Sequence, residues 1–507
     1  MSTAGSETFN LAWHCLGRQA IERGGKTALV IADGPGRLQS WTYGELDAKV
    51  RRLAGGFMAS GIRRGDRVMI RAANTLETVI AVFATAAIGC IALPASTMLT
   101  SEEAEALAAD SGAAAVVLSE ADPLIRARFA HLRTFEAADV ARLAVESAPA
   151  DYAETAPDEP AYLVFTSGST AEPKGVLHGH RVVIGRRPMA DDWLGLRQDD
   201  VVLHAGALNW TYALGVGVLD PFARGATGAL YAGPRDPAIW PRLIEATHAT
   251  IFAAVPSLYR QILKYGDASP ERLRRLRHGV TAGEALSPDL NAHWREATGT
   301  WLYEALGMSE VSTYVSMRPY EPIRPGSPGK PQRGRRVAVL PIMGGTEPLP
   351  PGEVGLLAVH RSDPGLMLGY WNRPEEEAAA TRGEWFLGGD LAAIDADGYV
   401  WHKGRNDDLM NAFGYRVSPL EVEKVLIAHP DVAEAAVAER RASAEVSVIA
   451  AFVVPKPGGG PLDEAALLQH STEHLADYKR PRRIVFVDTL PRTQNGKLSR
   501  RRLPQLI

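Results

Sequence analysis

The stretch "TSGSTAEPKG" at residues 166–175 follows directly on the apolar run "YLVF" at 162–165. The apolar run predicts a buried strand, and the stretch after it combines two glycines, four hydroxyl side chains and one lysine. Glycines let backbone amides approach an anion closely, hydroxyl groups add hydrogen-bond donors, and Lys174 adds a positive charge. Such a loop is suited to polyphosphate, although a plain turn can have the same composition. It is not a Walker loop, because Lys174 lies between Pro173 and Gly175.

The segments around this loop predict an α/β architecture. At 42–60, a capping box formed by Thr42 and Glu45 precedes apolar residues at helical spacing, which predicts an amphipathic helix. Helical patterns alternate with short β-rich runs up to about residue 300, the clearest runs being 28–31, 67–71, 114–119, 162–165 and 201–204. Beyond residue 335, the runs at 336–341 and 353–360 follow without a long helix between them. This pattern predicts two layered α/β subdomains and a β-rich subdomain that together form one large domain.

A second, smaller domain is predicted after residue 405. The segment "GRNDDLMNAFG" at 404–414 is polar, bounded by glycines and poor in periodic apolar residues, which is typical of a linker. A helix is expected to start at Ser418 with proline in its first turn, and strands, a helix near 463–477 and a last strand at 483–488 follow. We therefore divide the chain into a large domain at 1–405 and a small α+β domain at 406–507.

The composition argues against several classes of protein. The 507 residues are 46% apolar and 22% charged, as in globular proteins of more than one domain. A formal net charge of −4 provides no basic field, so no nucleic-acid partner is expected. The two cysteines, Cys15 and Cys90, lie far apart, and the N-terminal segment lacks the basic start and apolar core of a secretory signal. These features predict a cytoplasmic protein.

One apolar segment has the length of a membrane span. It covers 78–95, but it is rich in alanine, interrupted by Gly89 and ended by Pro94. These interruptions favour a buried helix followed by a short strand. No membrane partner is therefore expected.

Four later motifs accompany the loop at 166–175 and occur in a characteristic order. They are "YEALGMSE" (303–310), "GEWFLGGD" (383–390), "HKGRNDD" (402–408) and "LPRTQNGKLSRRRL" (490–503). Together the five motifs resemble those of the adenylate-forming superfamily, which includes acyl-CoA synthetases, adenylation domains and luciferases. The segments "AGEALSP" (282–288) and "YWNRPEEEAAATRGEW" (370–385) are most similar to the benzoate and related aryl-CoA ligase branch.

The resemblance implies a two-step reaction and a two-domain enzyme. In such enzymes ATP converts a carboxylic acid into an acyl-adenylate and pyrophosphate, and the thiol of CoA then displaces AMP. The first step gathers the charges of a carboxylate and a triphosphate, which calls for positively charged groups and Mg²⁺. The implied cofactors are therefore ATP, Mg²⁺ and CoA, and the implied small domain is mobile.

The resemblance also assigns residues to the adenylation step. Thr166, Glu310 and Lys497 are the implied catalytic residues, with Glu310 as the Mg²⁺ ligand and Lys497 bridging the acid carboxylate and the phosphate. Asp390 would accept hydrogen bonds from the ribose hydroxyls, and Arg405 would reach ribose or phosphate. The full nucleotide-binding set is Ser167, Gly168, Ser169, Thr170, Lys174, Gly283, Glu284, Ala285, Leu306, Gly307, Ser309, Asp390 and Arg405.

For the second step, the resemblance points to the small domain. Asp407 matches the hinge position, where rotation would exchange the adenylation and thioester-forming faces, and Gly414 would lie on the path of CoA. Some positions depart from the family pattern: Ala171 replaces a usual glycine, Leu306 a usual aromatic residue, and Asn411 a frequent lysine. These departures motivate a non-catalytic nucleotide-binding protein as one alternative.

The acyl-binding residues implied by the resemblance are Trp210, Tyr212, Ala305 and Met308. Flat aromatic walls suit a ring, so we expect a compact aromatic, alicyclic or short branched acid. The acceptor of the acyl group could also be a separate carrier protein instead of CoA. The oligomeric state stays open, with a homodimer as one alternative.

Overall fold

The computed structural model describes residues 8–119, 123–166, 173–234, 236–406, 408, 410–412, 415–441, 447–460, 462–492 and 498–506. The α-helices, in chain order, are α1 (Arg18–Arg23), α2 (Tyr43–Ala59), α3 (Leu76–Ala87), α4 (Ser101–Ser111), α5 (Pro123–Arg128), α6 (Ala137–Glu146), α7 (Val182–Gly185), α8 (Arg187–Asp192), α9 (Thr211–Leu214), α10 (Asp220–Arg224), α11 (Trp240–Thr247), α12 (Pro256–Tyr265), α13 (Pro288–Thr298), α14 (Pro374–Ala379), α15 (Pro419–Ile427) and α16 (Glu464–His474). Short π-helical turns lie at Trp13–Gly17 and Gly215–Leu219, and 3-10 turns at Pro237–Ile239, Asp477–Lys479 and Arg500–Leu506.

The strands are β1 (Thr27–Ala32), β2 (Leu38–Thr42), β3 (Arg67–Arg71), β4 (Ile91–Ala95), β5 (Ala113–Leu118), β6 (Arg133–Glu136), β7 (Pro160–Thr166), β8 (Lys174–Gly179), β9 (Val201–His204), β10 (Thr227–Tyr231), β11 (Ile251–Ala254), β12 (His278–Ala282), β13 (Trp301–Met308), β14 (Ser312–Ser316), β15 (Lys330–Pro331), β16 (Val337–Leu340), β17 (Gly355–His360), β18 (Gly369–Tyr370), β19 (Thr381–Arg382), β20 (Trp385–Ile394), β21 (Val400–Arg405), β22 (Met410–Ala412), β23 (Tyr415–Val417), β24 (Val432–Arg441), β25 (Ser447–Pro455) and β26 (Arg483–Phe486).

Two large sheets confirm the α/β prediction. The nine-stranded sheet has the order β15-β14-β13-β12-β11-β9-β10-β1-β2, and its strands from β13 to β1 are parallel. The seven-stranded sheet has the order β18-β8-β7-β4-β3-β5-β6, and its strands from β7 to β6 are parallel. Parallel strands need crossover connections, which the intervening helices supply.

Several local predictions are confirmed residue by residue. The predicted helix over 43–60 is α2, and its capping box is formed, with Glu45 N–H donating to Thr42 Oγ1 at 3.2 Å and Thr42 N–H donating to Glu45 Oε2 at 2.8 Å. The apolar segment 78–95 folds as the buried helix α3 followed by β4. In the described part of the chain, none of the helices combines the length and apolar character needed to span a bilayer.

The chain divides into two compact units. The first comprises Met1–Arg336 and Val359–Phe386, and it contains both large sheets. The second comprises Val337–Ala358 and Leu387–Ile507, and its three-stranded sheet β24-β25-β26 packs against α15 and α16 around a core of its own. The predicted boundary between residues 405 and 406 rests on linker composition and stays a prediction.

Candidate active site

Two of the predicted nucleotide-binding segments leave the same edge of the nine-stranded sheet. Strands β12 and β13 are parallel and in register, with Ala282 opposite Ala305. The segment Gly283, Glu284 and Ala285 therefore begins beside the segment that runs from Leu306 to Ser309. Ligands of parallel α/β sheets bind at the carboxyl ends of the strands. Both segments are at least partly exposed, as a nucleotide-binding edge requires.

The predicted phosphate loop lies between two strands of the other large sheet that pair in the antiparallel direction. Thr166, the last residue of β7, lies opposite Lys174, the first residue of β8. Ser167, Gly168, Ser169 and Thr170, together with Ala171, lie outside the described residues. The structure thus fixes where the loop starts and ends, and it brings Thr166 and Lys174 together at its base.

Glu310 is held by the segment that leads into β18. The hydroxyl of Tyr370 donates to Glu310 Oε1 at 2.7 Å, and the backbone N–H of Met367 donates to the Glu310 carbonyl at 2.6 Å. Strand β18 in turn pairs with β8, with Tyr370 opposite Val176. The predicted Mg²⁺ ligand is therefore anchored to the strand that begins with Lys174.

Lys174 also has partners in this segment. Its ammonium forms an ion pair with Glu376 in α14 and lies 5.4 Å from the centre of the Tyr370 ring. A cation over an aromatic face at this distance is attracted by the ring. Tyr370 thus contacts both of the charged side chains that the sequence assigns to ATP and Mg²⁺.

A buried histidine, His178, donates a hydrogen bond to the carbonyl of Ser309, the residue before Glu310. His178 on β8 is fully buried, stacks on Tyr162 at 4.8 Å, and its Nε2 lies 2.8 Å from the carbonyl oxygen of Ser309. Burial lowers the pKa of His178 to about 4, so the ring is neutral near pH 7 and Nε2 carries the proton that it donates. His178 therefore has a structural task at this site.

A buried ion pair supports the turn between β13 and β14. Arg186 forms two hydrogen bonds of 2.7 Å with Asp220 and donates a third to Ser312 Oγ at 2.5 Å. Ser312 has a φ of +66°, which is uncommon for a residue with a side chain. A Cβ atom on Gly307 would lie 2.4 Å from the Ser312 carbonyl oxygen. Only glycine at 307 allows the turn that carries Ser309 and Glu310.

The predicted ribose-binding residues come together in the second unit. Asp390 on β20 lies opposite Arg405 on β21, and its Oδ1 is 3.1 Å from His402 Nε2 and 3.9 Å from Arg405 Nη1. Arg405 also donates to the Gly388 carbonyl at 2.6 Å. A Cβ atom on Gly389, which has a φ of +82°, would lie 2.8 Å from the Arg405 guanidinium, so glycine permits this close approach.

The two predicted acyl-binding aromatic residues belong to the apolar cluster that includes buried residues of the nine-stranded sheet. Tyr212 is buried, donates to the Val280 carbonyl at 3.3 Å, and contacts Trp210 edge to face at 5.3 Å. Trp210 is half-buried, and Ala305 belongs to the same apolar cluster. Met308, half-buried, follows at the end of β13. Trp210 is thus the aromatic side chain of this group with more surface available to a ligand.

Glu304 is a buried carboxyl group that the sequence did not single out. Burial raises the pKa of Glu304 to about 8, and the backbone N–H of Leu286 acts in the opposite direction. An acid whose folded pKa lies above its unfolded value costs stability as pH rises between the two values. For Glu304 this window runs from the unfolded value of 4.5 to about 8.

We expect Glu304→Gln to gain stability relative to the unchanged protein as pH rises. The neutral amide does not ionise, so the difference in unfolding free energy should increase by a few kcal/mol, at about 1.4 kcal/mol per unit of pKa shift. Urea unfolding at pH 5 and pH 9 measures this difference. Glu296→Gln, in which an exposed carboxylate of α13 is replaced, serves as control and should show no such increase. A constant difference would mean that Glu304 does not titrate in this window.

The residues present fit Mg²⁺ and the phosphates of ATP. A carboxylate oxygen such as that of Glu310 is the type of ligand that Mg²⁺ prefers, and Mg²⁺ is usually held by one or two carboxylates together with substrate phosphates. Among the described residues, no group of three or more His, Cys, Asp or Glu side chains could hold a metal by itself. The ammonium of Lys174 is the kind of cation that binds a phosphate oxygen. Lys497, Asp407 and Gly414 lie outside the described residues.

Sequence reasoning missed four side chains that support these groups: Tyr370, Glu376, His402 and Arg186. Tyr370 and Glu376 lie in "YWNRPEEE", a segment whose resemblance to aryl-CoA ligases assigns neither residue a role. His402 opens the motif "HKGRNDD", and nothing in the sequence pattern pairs it with Asp390.

Comparison with known proteins identifies the family. Residues 16–371 match the family described as AMP-binding enzyme, and residues 421–497 match the AMP-binding enzyme C-terminal domain. The benzoate–CoA ligase of Thauera aromatica is 34% identical over 514 residues, which cover 98% of this chain and 96% of that protein. A benzoate CoA ligase from Burkholderia xenovorans LB400 has a solved structure with a TM-score of 0.88 and 30% identity, covering 98% of this chain and 99% of that one.

A third relative was solved with a reaction intermediate. It is an anthranilate CoA ligase in complex with anthranoyl-AMP, with a TM-score of 0.87 and 30% identity, and the match covers 98% of this chain and 97% of that one. The matched family covers the sheets that carry Thr166, Lys174 and Glu310. The chain therefore belongs to the family of AMP-binding enzymes, with a family-type C-terminal domain following the large one.

Proposed function

We propose that this chain is an AMP-forming acid–CoA ligase that activates a compact aryl acid with ATP and transfers the acyl group to CoA. The observation that carries the proposal is the juxtaposition of Lys174 and Glu310 on one tyrosine, Tyr370, at the base of the phosphate loop. A cation for phosphate and a carboxylate for Mg²⁺ in one place are what adenylation requires. The relatives reported above include ligases of benzoate and of anthranilate.

In the first half-reaction, the carboxylate oxygen of the acid attacks the α-phosphate of ATP, and pyrophosphate leaves. Lys174 exchanges its partner Glu376 for a phosphate oxygen and so offsets charge at the polyphosphate. Glu310, oriented by Tyr370, offers a carboxylate oxygen to Mg²⁺. When bound, Mg²⁺ neutralises charge on the phosphates. Thr166 adds a hydroxyl at the start of the loop.

The nucleoside is proposed to be bound by backbone groups and by a carboxylate. Segments 283–285 and 306–309 offer backbone groups at the sheet edge, where a purine ring can lie. Asp390 accepts from the ribose hydroxyls, and His402 and Arg405 fix the orientation of its carboxylate. A carboxylate already held in place pays less ordering entropy on binding.

In the second half-reaction, the thiolate of CoA attacks the acyl carbon and AMP leaves. Lys497 is proposed to serve the first half-reaction, and a rotation at Asp407 is proposed to replace it with the face that contains Gly414. A cytoplasmic location, and partners restricted to small molecules, stay predictions from the sequence.

The acid is proposed to be a compact ring acid. Trp210 offers an indole beside Tyr212, and edge-to-face aromatic packing of this kind accommodates another ring at low cost. No lysine or arginine occurs in the segment 207–215, so a second carboxylate on the substrate has no partner there. Benzoate and substituted benzoates are accordingly the first candidates.

Acid-dependent pyrophosphate release tests this function. We expect release from ATP and Mg²⁺ with benzoate, substituted benzoates or cyclohexanecarboxylate, and weaker release with octanoate. Each acid is assayed with and without CoA, and the acyl-CoA product is identified by mass. Adenylate without thioester would favour a separate carrier protein as acceptor. If ATP binds but no acid causes pyrophosphate release, the non-catalytic alternative is favoured.

A further inference from the structure

Tyr370 occupies a position that the family assignment leaves without a role. It lies on β18, which is only two residues long but is fixed on both sides by backbone hydrogen bonds to β8, from Leu368 N–H to the Leu177 carbonyl and from Trp371 N–H to the Gly175 carbonyl, each at 2.7 Å. The side chain therefore projects from a rigid support. Its hydroxyl and its ring meet different charged groups.

The hydroxyl meets Glu310. It donates to Oε1 at 2.7 Å, the distance of a good hydrogen bond between a hydroxyl and a carboxylate. This contact uses one lone pair of Oε1 and leaves Oε2 and the remaining lone pair available to a cation. A glutamate has three side-chain torsions, and fixing them in advance removes an entropic cost that ligand binding would otherwise carry.

The ring meets Lys174. The ammonium lies 5.4 Å from the ring centre while it is paired with Glu376. The attraction of a cation to an aromatic face does not depend on the hydroxyl, so phenylalanine retains it. The two contacts of Tyr370 can therefore be removed one at a time.

We propose that Tyr370 is a positioning residue for both halves of the Mg·ATP site, its hydroxyl orienting Glu310 towards Mg²⁺ and its ring seating Lys174 towards phosphate. The inference rests on the proposed function. It adds to that function a residue that touches neither the acid nor the nucleotide and acts through Glu310 and Lys174.

Two substitutions separate the two contacts. Tyr370→Phe removes the hydrogen bond to Glu310 and retains the ring, whereas Tyr370→Leu removes both contacts. Tyr152→Phe is the matched control, because the hydroxyl of Tyr152 also donates to a carboxylate, that of Asp47, at 2.7 Å, and Tyr152 is likewise half-buried. Asp47 lies in α2 and belongs to no part of the proposed site.

The measurement is the rise in melting temperature caused by ATP, titrated with MgCl₂ and without any acid. We expect Tyr370→Phe to raise the half-saturating Mg²⁺ concentration by about 3- to 10-fold, the size expected for freeing one side chain. The half-saturating ATP concentration at saturating Mg²⁺ should change little. Tyr370→Leu should raise both concentrations, and Tyr152→Phe should raise neither.

A double-mutant cycle provides the second measurement. In a Glu310→Gln background, Tyr370→Phe should add no further shift in the half-saturating Mg²⁺ concentration, because the group that it orients is gone. An unchanged Mg²⁺ titration in Tyr370→Phe, or an equal shift in Tyr152→Phe, would overturn the positioning role while leaving the proposed function intact. A wild-type protein that ATP and Mg²⁺ do not stabilise at any concentration would overturn both.

Discussion

Lys497→Ala is expected to lower acid-dependent pyrophosphate release by about 10²- to 10³-fold, the loss of a few kcal/mol of transition-state electrostatics. The family motif "NGKLS" assigns to this lysine the bridge between the acid carboxylate and the α-phosphate, two negative groups that must come together before they react. Removing the only charge on that side chain removes an interaction that is strongest in the transition state. Thioester formation from ready-made acyl-AMP and CoA should continue, because that half-reaction has no such bridge.

The effect of Lys497→Ala is measured on each half-reaction separately and is compared with that of a control substitution at another lysine. Pyrophosphate release measures the first half-reaction, and acyl-CoA formation from synthetic acyl-AMP measures the second. Lys479→Ala is the control, because Lys479 pairs with Glu421 in the same unit and has no place in the proposed site. Equal losses in both half-reactions of Lys497→Ala would show that the lysine is assigned wrongly.

Asp407→Pro is expected to leave pyrophosphate release within a small factor of the unchanged protein and to lower acyl transfer to CoA by about 10²-fold, as a small misplacement of reacting groups does. Proline fixes φ near −65°, so a hinge residue that must change φ between the two half-reactions is held in one state. Asp407 itself lies outside the described residues, and the residue before it, Asn406, donates its backbone N–H to the Gly389 carbonyl at 2.7 Å.

Asp407→Ala is the matched control for this hinge. It removes the same carboxylate without restricting φ, so both half-reactions should stay close to those of the unchanged protein. Single-turnover assays of each half-reaction separate the steps. If the alanine and proline variants lose acyl transfer equally, the carboxylate itself matters and the hinge interpretation is wrong.

Periodicity and capping predicted most of the local structure in the first unit. The spacing of Thr42 and Glu45 placed the start of α2, because the capping box is a contact between residues three apart. The apolar run at 162–165 predicted β7 for a similar reason. A strand that is buried on both faces is a continuous apolar run, so it can be recognised without knowing which strands pair with it. These features depend on neighbours along the chain.

The supports of the site depend instead on contacts between distant residues. Glu310 and Tyr370 are 60 positions apart, and Arg186 and Ser312 are 126 apart, so no periodic pattern connects them. His402 reaches Asp390 only because the register of β20 and β21 shifts between Leu391 and Ala392. Such a shift redirects side chains in a way that alternation along one strand does not reveal.

The stoichiometry of products from benzoate, ATP, Mg²⁺ and CoA tests the proposed ligase activity most directly. We predict that AMP, pyrophosphate and benzoyl-CoA form in equal amounts, and that no AMP or pyrophosphate forms without an acid. Chromatography and mass spectrometry of one reaction mixture measure all three products. Formation of ADP and phosphate in place of AMP and pyrophosphate, or AMP released without any acyl-CoA from benzoate or the other ring acids, would show that the protein is not an AMP-forming ligase of ring acids and CoA.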